Sequence, residues 1–337
     1  MDIRTAIAEL TQRHDLAEAD MEAVVRAVMT GEATPAQIGA FLVALRMKGE
    51  RVEEIAGAAR AMRRHATAMA PLGDVVDTCG TGGDMRNTFN ISTTAAFIAA
   101  GAGLRIAKHG NRAMSGSVGG ADVLEALGVR IDLAAERVAE CIDAVGIGFL
   151  FAQTFHPAMR HVAPVRRELG VRTVFNLLGP LTNPAGARRQ LVGVFAPEWV
   201  EPLAQALGRL GGERALVVHG DDGLDELSLT GASTVAELRD GAVRVFRFSP
   251  AEVGMPVCAP EALRGGSAAD NAAIIRAVLG GGGSAAQRDI ALLNAGGVLA
   301  VGGAADGIPA GVELARATVA GGAALAKLEA LIALTTR

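Results

Sequence analysis

After Pro71 the chain alternates short apolar runs with helical segments, and that rhythm restricts the fold more than any other feature. Val75-Val76 leads into a glycine-rich loop, Ser92–Ala100 reads as a helix, and Arg105-Ile106-Ala107 reads as a strand ending at Lys108. Ala121–Leu127 is expected to be helical, Val129-Arg130-Ile131 a strand, and Ala134–Val145 a helix. The pattern repeats in Gln190–Phe195, the helix Trp199–Leu210 and Ala215–His219. Strands separated by helices predict an α/β fold in which a mainly parallel sheet is flanked by helices. Val243–Phe248, set off by Asp240-Gly241, reads as a strand near the sheet's edge. The tail from Ser267 is helical, with a break at Gly280–Gly283.

Residues 1–66 read as helices only, a small all-helical domain ahead of a larger one spanning 72–337. Asp20-Met21-Glu22 and Thr34-Pro35-Ala36-Gln37 resemble helix starts, the second with proline in the first turn. Ile38, Phe41, Leu42 and Leu45 recur at helical spacing, which suits either core packing or a helical dimer interface. A length of 337 residues allows one large domain or two unequal ones. The net charge of −4 gives no basic footprint for nucleic acid. Cys79, Cys141 and Cys258 are far apart and form no Cys-x-x-Cys pair, as expected of reduced thiols in a cytoplasmic protein. The opening MDIRTAIAELTQRHDL is charged where a signal peptide needs an apolar core, and no uninterrupted apolar run reads as a membrane span.

Three polar, glycine-bearing loops follow expected strands, the position at which parallel sheets bind ligands: Cys79–Asn90, Lys108–Gly120 and Gly220–Ser228. The first opens as Gly80-x-Gly82 but has Met85 at the third glycine position and no acid about twenty residues on, so it is not a dinucleotide fingerprint. No Gly-Lys-Ser/Thr follows, which excludes a Walker loop. A glycine loop entering a helix at Asn90, Ser92, Thr93 and Thr94 suits a phosphate through its amides and hydroxyls. The second loop adds Lys108, Arg112, Ser115 and Ser117. The third gathers Asp221, Asp222, Asp225 and Glu226; its spacing is not that of an EF-hand, but adjacent Asp225 and Glu226 offer oxygens to a magnesium ion that shares phosphate oxygens. Two phosphate cradles opposite two carboxylates describe a magnesium–pyrophosphate site. Within it Asp84 is expected either to pair with Lys108 or to bind a water of the metal.

GTGGD, NIST, KHGNR, GADVLEALG, PVRRELGVRTVFNLLGPLTNP and DGLDELS occur in this order, and over nearly its whole length the chain resembles the anthranilate phosphoribosyltransferase family. The resemblance implies transfer of phosphoribosyl from phosphoribosyl pyrophosphate (PRPP) to the amino group of anthranilate, in tryptophan biosynthesis. It implies that Gly80, Gly83, Asp84, Thr88, Asn90, Ile91, Ser92 and Thr93 hold PRPP. The loop of Lys108, Gly110, Asn111, Arg112, Ser115, Gly116 and Gly120 is implied to close over it. Ser92, Asp225 and Glu226 match the family's magnesium positions, with two Mg2+ ions per site, and Gly80, Asn111 and Arg166 match contacts to anthranilate. A guanidinium at Arg166 suits a carboxylate; an ion pair with Glu168 or another acid is the structural alternative. The resemblance further implies that residues near 165–185 return to the helical domain, that the chain is a homodimer through its N-terminal helices, and that anthranilate synthase or a glutamine amidotransferase makes contact with it. Family members commonly have serine at positions 113, 116 and 120, where this chain has Ala113, Gly116 and Gly120, and glycine where it has Met85.

The chemistry expected is in-line displacement at the anomeric carbon with oxocarbenium character, driven by Lys108 and magnesium on the departing pyrophosphate. His109 is a candidate proton acceptor or a wall of the pocket. His156 and His161 face different ways on a helix and are not expected to bind metal. A pyrimidine nucleoside phosphorylase would need no acidic metal pair, and a nucleic-acid-binding relative would need a basic groove; neither fits Asp225-Glu226 on an acidic chain.

Overall fold

The computed structural model describes residues 1–113 and 118–337. Four helices come first: α1 (Ile3–Thr11), α2 (Glu18–Met29), α3 (Pro35–Lys48) and α4 (Val52–Arg64). Asp2 caps α1 by accepting from the amides of Arg4 and Thr5, and Thr34 forms a reciprocal capping box with Gln37 ahead of α3. α2 starts earlier than expected, at Glu18, which leaves Asp20 in the first turn near the helix's positive end. The stripe Ile38, Phe41, Leu42 and Leu45 is fully buried within the chain. It shares a core with Val162, Val165, Phe175 and Leu178, which lie far along the sequence. The stripe is therefore core and not an outer surface.

Then come β1 (Val76–Gly80), α5 (Ile91–Gly101), β2 (Ile106–Gly110), α6 (Gly120–Leu127), α7 (Ala135–Val145), β3 (Ile147–Phe151) and α8 (Ala152–Phe155). They are followed by α9 (Ala163–Leu169), α10 (Phe175–Leu178), β4 (Arg189–Gly193), α11 (Val200–Arg209), β5 (Arg214–Gly220), β6 (Ser233–Arg239) and β7 (Ala242–Phe248). Four helices end the chain: α12 (Ala268–Leu279), α13 (Ala285–Gly302), α14 (Ile308–Ala320) and α15 (Ala323–Thr335). Among the described residues no single helix is long and apolar enough to cross a membrane.

The strands form one sheet in the order β3-β2-β1-β4-β5-β6-β7. β1 to β5 are parallel, and β6 and β7 return antiparallel. Asp240 and Gly241, at φ 52° and 78°, make the tight turn between β6 and β7. Successive strand residues serve opposite faces, as a period of two requires. Leu191 and Leu216 join a core with Phe97, Leu293 and Val298, while Val192 and Val217 join Leu203, Leu207 and the N-terminal helices.

The strand reading needs correction at four places. Val129-Arg130-Ile131 is not a strand; Val129 donates its amide to the Leu124 carbonyl, so this run is the exit of α6, with Val129 and Ile131 buried without pairing and Arg130 exposed. The strand expected near the edge is β7, which closes one side of the sheet. The other edge is supplied by β3, an unforeseen strand all of whose residues are buried, and β6 is a further unforeseen strand. β2 also runs on through Lys108 and His109, which places both inside the sheet at 4 % and 5 % exposure rather than in a loop.

Candidate active site

Four parallel strands end in glycine, at Gly80, Gly110, Gly193 and Gly220, and the polar loops rise from these ends. Asp225 crosses directly over two of them. A Cβ on Gly80 would stand 2.3 Å from Asp225 Oδ2, and one on Gly193 would stand 1.5 Å from the Asp225 carbonyl oxygen. Gly193→Ala is expected to push the Asp225 backbone aside, destabilising the fold by about 1–3 kcal/mol and removing turnover. Thermal melts and rate assays on one preparation check both effects.

The acidic loop divides into two pairs. Asp221 is engaged by Arg247, and Asp222 accepts from the Leu224 amide (3.2 Å), the Ser228 hydroxyl (3.0 Å) and Thr230. These two fix the loop. Asp225 and Glu226 turn inward: Asp225 accepts from the Gly82 amide at 2.8 Å, and Glu226 from the Ser92 amide at 3.1 Å. Ser92 lies in the first turn of α5, where free amides and the helix dipole favour an anion. Burial, Asp84 and Glu226 together push the Asp225 carboxyl well above its ordinary range. Burial raises Glu226 to about 7, with Lys108 opposing and Asp84 assisting. Three crowded carboxylates of this kind suit a divalent cation. Among the described residues no group of three His, Cys, Asp or Glu side chains is placed to hold a metal alone, so such a cation would complete its shell with water and ligand oxygens, as magnesium does.

Lys108 is the counter-charge. Its Nζ donates to the Thr78 carbonyl (2.6 Å) and lies 3.3 Å from Ser92 Oγ. Burial lowers its pKa, against the pull of Asp77, Cys79, Glu226 and Asp225. The expected Asp84–Lys108 pair does not form among the described residues. Asp84 accepts from the Arg86 amide at 3.1 Å and faces Asp225, so its charge adds to the acidic cluster.

The remaining glycine-loop residues flank this centre. Gly83 stands at φ 79°, Thr88 bridges to Arg264, and Ile91 is buried. The Asn90 Oδ1 and Thr93 Oγ1 atoms are buried without a partner in the described structure, which leaves two polar groups at the start of α5 for a ligand. Gly110 closes β2 against Phe149, and Gly120 opens α6 with Thr93 Oγ1 near its open side. Asn111 accepts from the Arg112 amide. Arg112 is held by Asp122 and Glu125 of α6, so its charge is met within the chain rather than aimed at the glycine loop. Ser115 and Gly116 lie outside the described residues.

Arg166, on α9, is half-buried above the Phe175 ring at 5.7 Å. Among the described residues no carboxylate pairs with it, Glu168 included, and burial lowers its pKa. A half-buried guanidinium in that state fits a ligand carboxylate. His109 Nδ1 lies 3.1 Å from the Gly179 carbonyl, which assigns the proton to Nδ1 and leaves Nε2 buried without a partner. Burial and neighbouring His156, 5.1 Å away between ring centroids, lower its pKa to about 3. A ring so hard to protonate is a poor proton acceptor. His161 packs apart from this pair, beside Gly31.

Residues 72–325 match the model of a glycosyl transferase family, a/b domain, and residues 4–66 match its helical bundle domain. A protein of Chloroflexus aggregans named anthranilate phosphoribosyltransferase is 55 % identical over 336 residues, covering 99 % of both chains. The chain belongs to the anthranilate phosphoribosyltransferase family. The crystal structure of the family member from Thermus thermophilus superposes with a TM-score of 0.94 at 48 % identity, covering 98 % of this chain and 99 % of that one. The Saccharomyces cerevisiae enzyme in complex with PRPP and Mg has a TM-score of 0.90 at 29 % identity, covering 99 % and 98 %. The same yeast enzyme has also been solved with 4-fluoroanthranilate, at 28 % identity and a TM-score of 0.89, covering 99 % of this chain and 97 % of that one.

Within this anthranilate phosphoribosyltransferase fold, several site residues escaped sequence reasoning. Asp77, fully buried on β1, accepts from the His109 amide (3.1 Å) and from Asn183 Nδ2 (2.8 Å), which also donates to the Ala107 carbonyl. The triplet ties β1, β2 and the LTNP segment together beneath Lys108. A lone acid in an apolar strand was the available signal. Arg172 and Phe195, against the glycine loop, had none.

Proposed function

We propose that this chain transfers the phosphoribosyl group of PRPP to the amino group of anthranilate and releases pyrophosphate. The observation that carries the reading is the meeting of Lys108, Asp225 and Glu226 at the glycine loop and the start of α5. Gly80, Gly83, Asp84, Thr88 and Asn90 through Thr93 are proposed to cradle PRPP, and Lys108, Gly110, Asn111, Ser115, Gly116 and Gly120 to cover it, with Arg112 anchoring that loop to α6 through Asp122 and Glu125. Ser92, Asp225 and Glu226 are proposed to hold two Mg2+ ions, whose charge would relieve the crowded carboxylates. Bound magnesium supplies charge neutralisation for the departing pyrophosphate. Lys108 adds a fixed positive charge at the same place, in a site where burial strengthens it. Asn111 and Arg166 orient anthranilate, whose amine is neutral at pH 7 and needs no strong base to attack. His109 is proposed to shape the pocket wall rather than to take the proton.

The reading is tested by following pyrophosphate release and anthranilate loss together, which are expected in equal amounts. Arg166→Ala should raise the anthranilate KM by at least about tenfold, the effect of one charge-assisted contact, with the PRPP KM nearly unchanged. Equal effects on both substrates would place Arg166 elsewhere in the reaction.

The organisation proposed with this function is a helical domain of residues 1–66, joined by the segment near 165–185, and a phosphoribosyl-transfer domain of 72–337. The shared core of the N-terminal helices with Val165, Phe175 and Leu178 supports it. A cytoplasmic homodimer through the outward faces of those helices, and contact with anthranilate synthase or a glutamine amidotransferase, complete the proposal.

A further inference from the structure

We propose that Arg172 is a positioning residue for the glycine loop, acting on PRPP binding through the Gly83 carbonyl. The inference rests on the reading of that loop as the PRPP cradle. Gly82 and Gly83 both stand at positive φ, 65° and 79°, a conformation that turns their peptide planes away from the course of β1. Four hydrogen bonds hold the loop from Thr81 to Gly83. Thr81 donates its amide to the Gly193 carbonyl (2.9 Å), and its hydroxyl accepts from the Phe195 amide (3.0 Å). The Gly82 amide is held by Asp225. The Gly83 carbonyl accepts from Arg172 Nη2.

Arg172 is itself fixed from two directions. Its guanidinium lies 4.2 Å above the centre of the Phe195 ring, a cation–π contact. Its backbone sits between Gly170, which ends α9 at φ 63°, and Thr173, whose amide donates to Asn176 Oδ1 at 2.9 Å. The contacts therefore close a circuit: the Phe195 amide to the Thr81 hydroxyl, Thr81 to Gly83 along the loop, Gly83 to Arg172, and Arg172 back onto Phe195. The same short segment carries Arg166 on α9. A carbonyl held outward by Arg172 keeps the neighbouring amides of the loop turned toward an anion instead of allowing the peptide to flip.

The test is steady-state kinetics on the full-length chain with Mg2+, varying PRPP and anthranilate separately. Arg172→Ala is expected to raise the PRPP KM about tenfold, as loss of one charge-assisted hydrogen bond does, with kcat and the anthranilate KM within about twofold of the parent. Arg172→Lys should recover part of the loss, because an ammonium reaches the carbonyl but does not lie flat on a ring. Phe195→Leu should raise the PRPP KM about threefold through the lost cation–π contact alone, and it carries the test if Arg172→Ala does not fold. An unchanged PRPP KM in Arg172→Ala and Phe195→Leu, or a fall in kcat at constant PRPP KM, overturns the positioning role. If the parent chain does not consume anthranilate with PRPP, the functional reading fails instead. Calorimetric PRPP affinities of parent and variants would then still decide whether Arg172 sets the loop.

Discussion

Asp225→Asn combined with Glu226→Gln is expected to lower turnover by at least about a thousandfold while raising the melting temperature of the metal-free protein. Both effects come from the same crowding. The two carboxylates are half-buried beside Asp84, and their charge is tolerated only because Lys108, the Gly82 amide and the Ser92 amide face them. Neutral amides end the repulsion and with it any grip on magnesium. The pH dependence has a definite sign. The folded chain holds the Glu226 proton up to about 7, whereas an ordinary glutamate releases it near 4.5. The folded state thus binds more protons between these values, so stability is full below pH 4.5 and falls as pH rises through 7. That fall should appear in melts with EDTA, shrink when Mg2+ is added and vanish in the double variant. Normal rates from the double variant at limiting magnesium would contradict the assignment.

Lys108→Met should reduce kcat by about a hundredfold to a thousandfold, with the opposite effect on stability. Methionine keeps the length of the stem but removes the cation that faces Asp77, Asp225 and Glu226. Deleting one partner of a buried charge cluster costs about 3–5 kcal/mol, so this variant should melt lower where the acidic double variant melts higher. Lys108→Arg is not expected to rescue it, because a residue 4 % exposed between Thr78 and Ser92 leaves no room for a forked guanidinium. Equal stability in parent and Lys108→Met would separate the lysine from the acids. The signs are read by thermal melts at fixed pH, and the rates at saturating PRPP.

The α/β rhythm was legible because strand and helix periods differ, and the glycine, lysine and acidic loops were legible because ligands gather where parallel strands end. Val129–Ile131 misled because a helix exit that enters the core shows the same short apolar run as a strand. β3 was hidden by following α7 with only Gly146 between them. Lys108 and His109 looked like loop residues because charged side chains inside a strand are rare; here the Asp77 charge and the Thr78 carbonyl make the Lys108 burial tolerable, and the Gly179 carbonyl, from a distant part of the chain, partners the His109 ring. The return of Val165–Leu181 to the helical core followed from family resemblance and not from pattern. Arg172 and Phe195 could not be paired from sequence, since their contact spans two loops with no shared periodicity.

The most direct test of the central claim, that this site joins PRPP to anthranilate with magnesium, is the fluorescence of anthranilate mixed with the purified chain and PRPP. A decay in Mg2+ that stops in EDTA is predicted. A flat trace in both conditions, from protein that melts cooperatively, would contradict it.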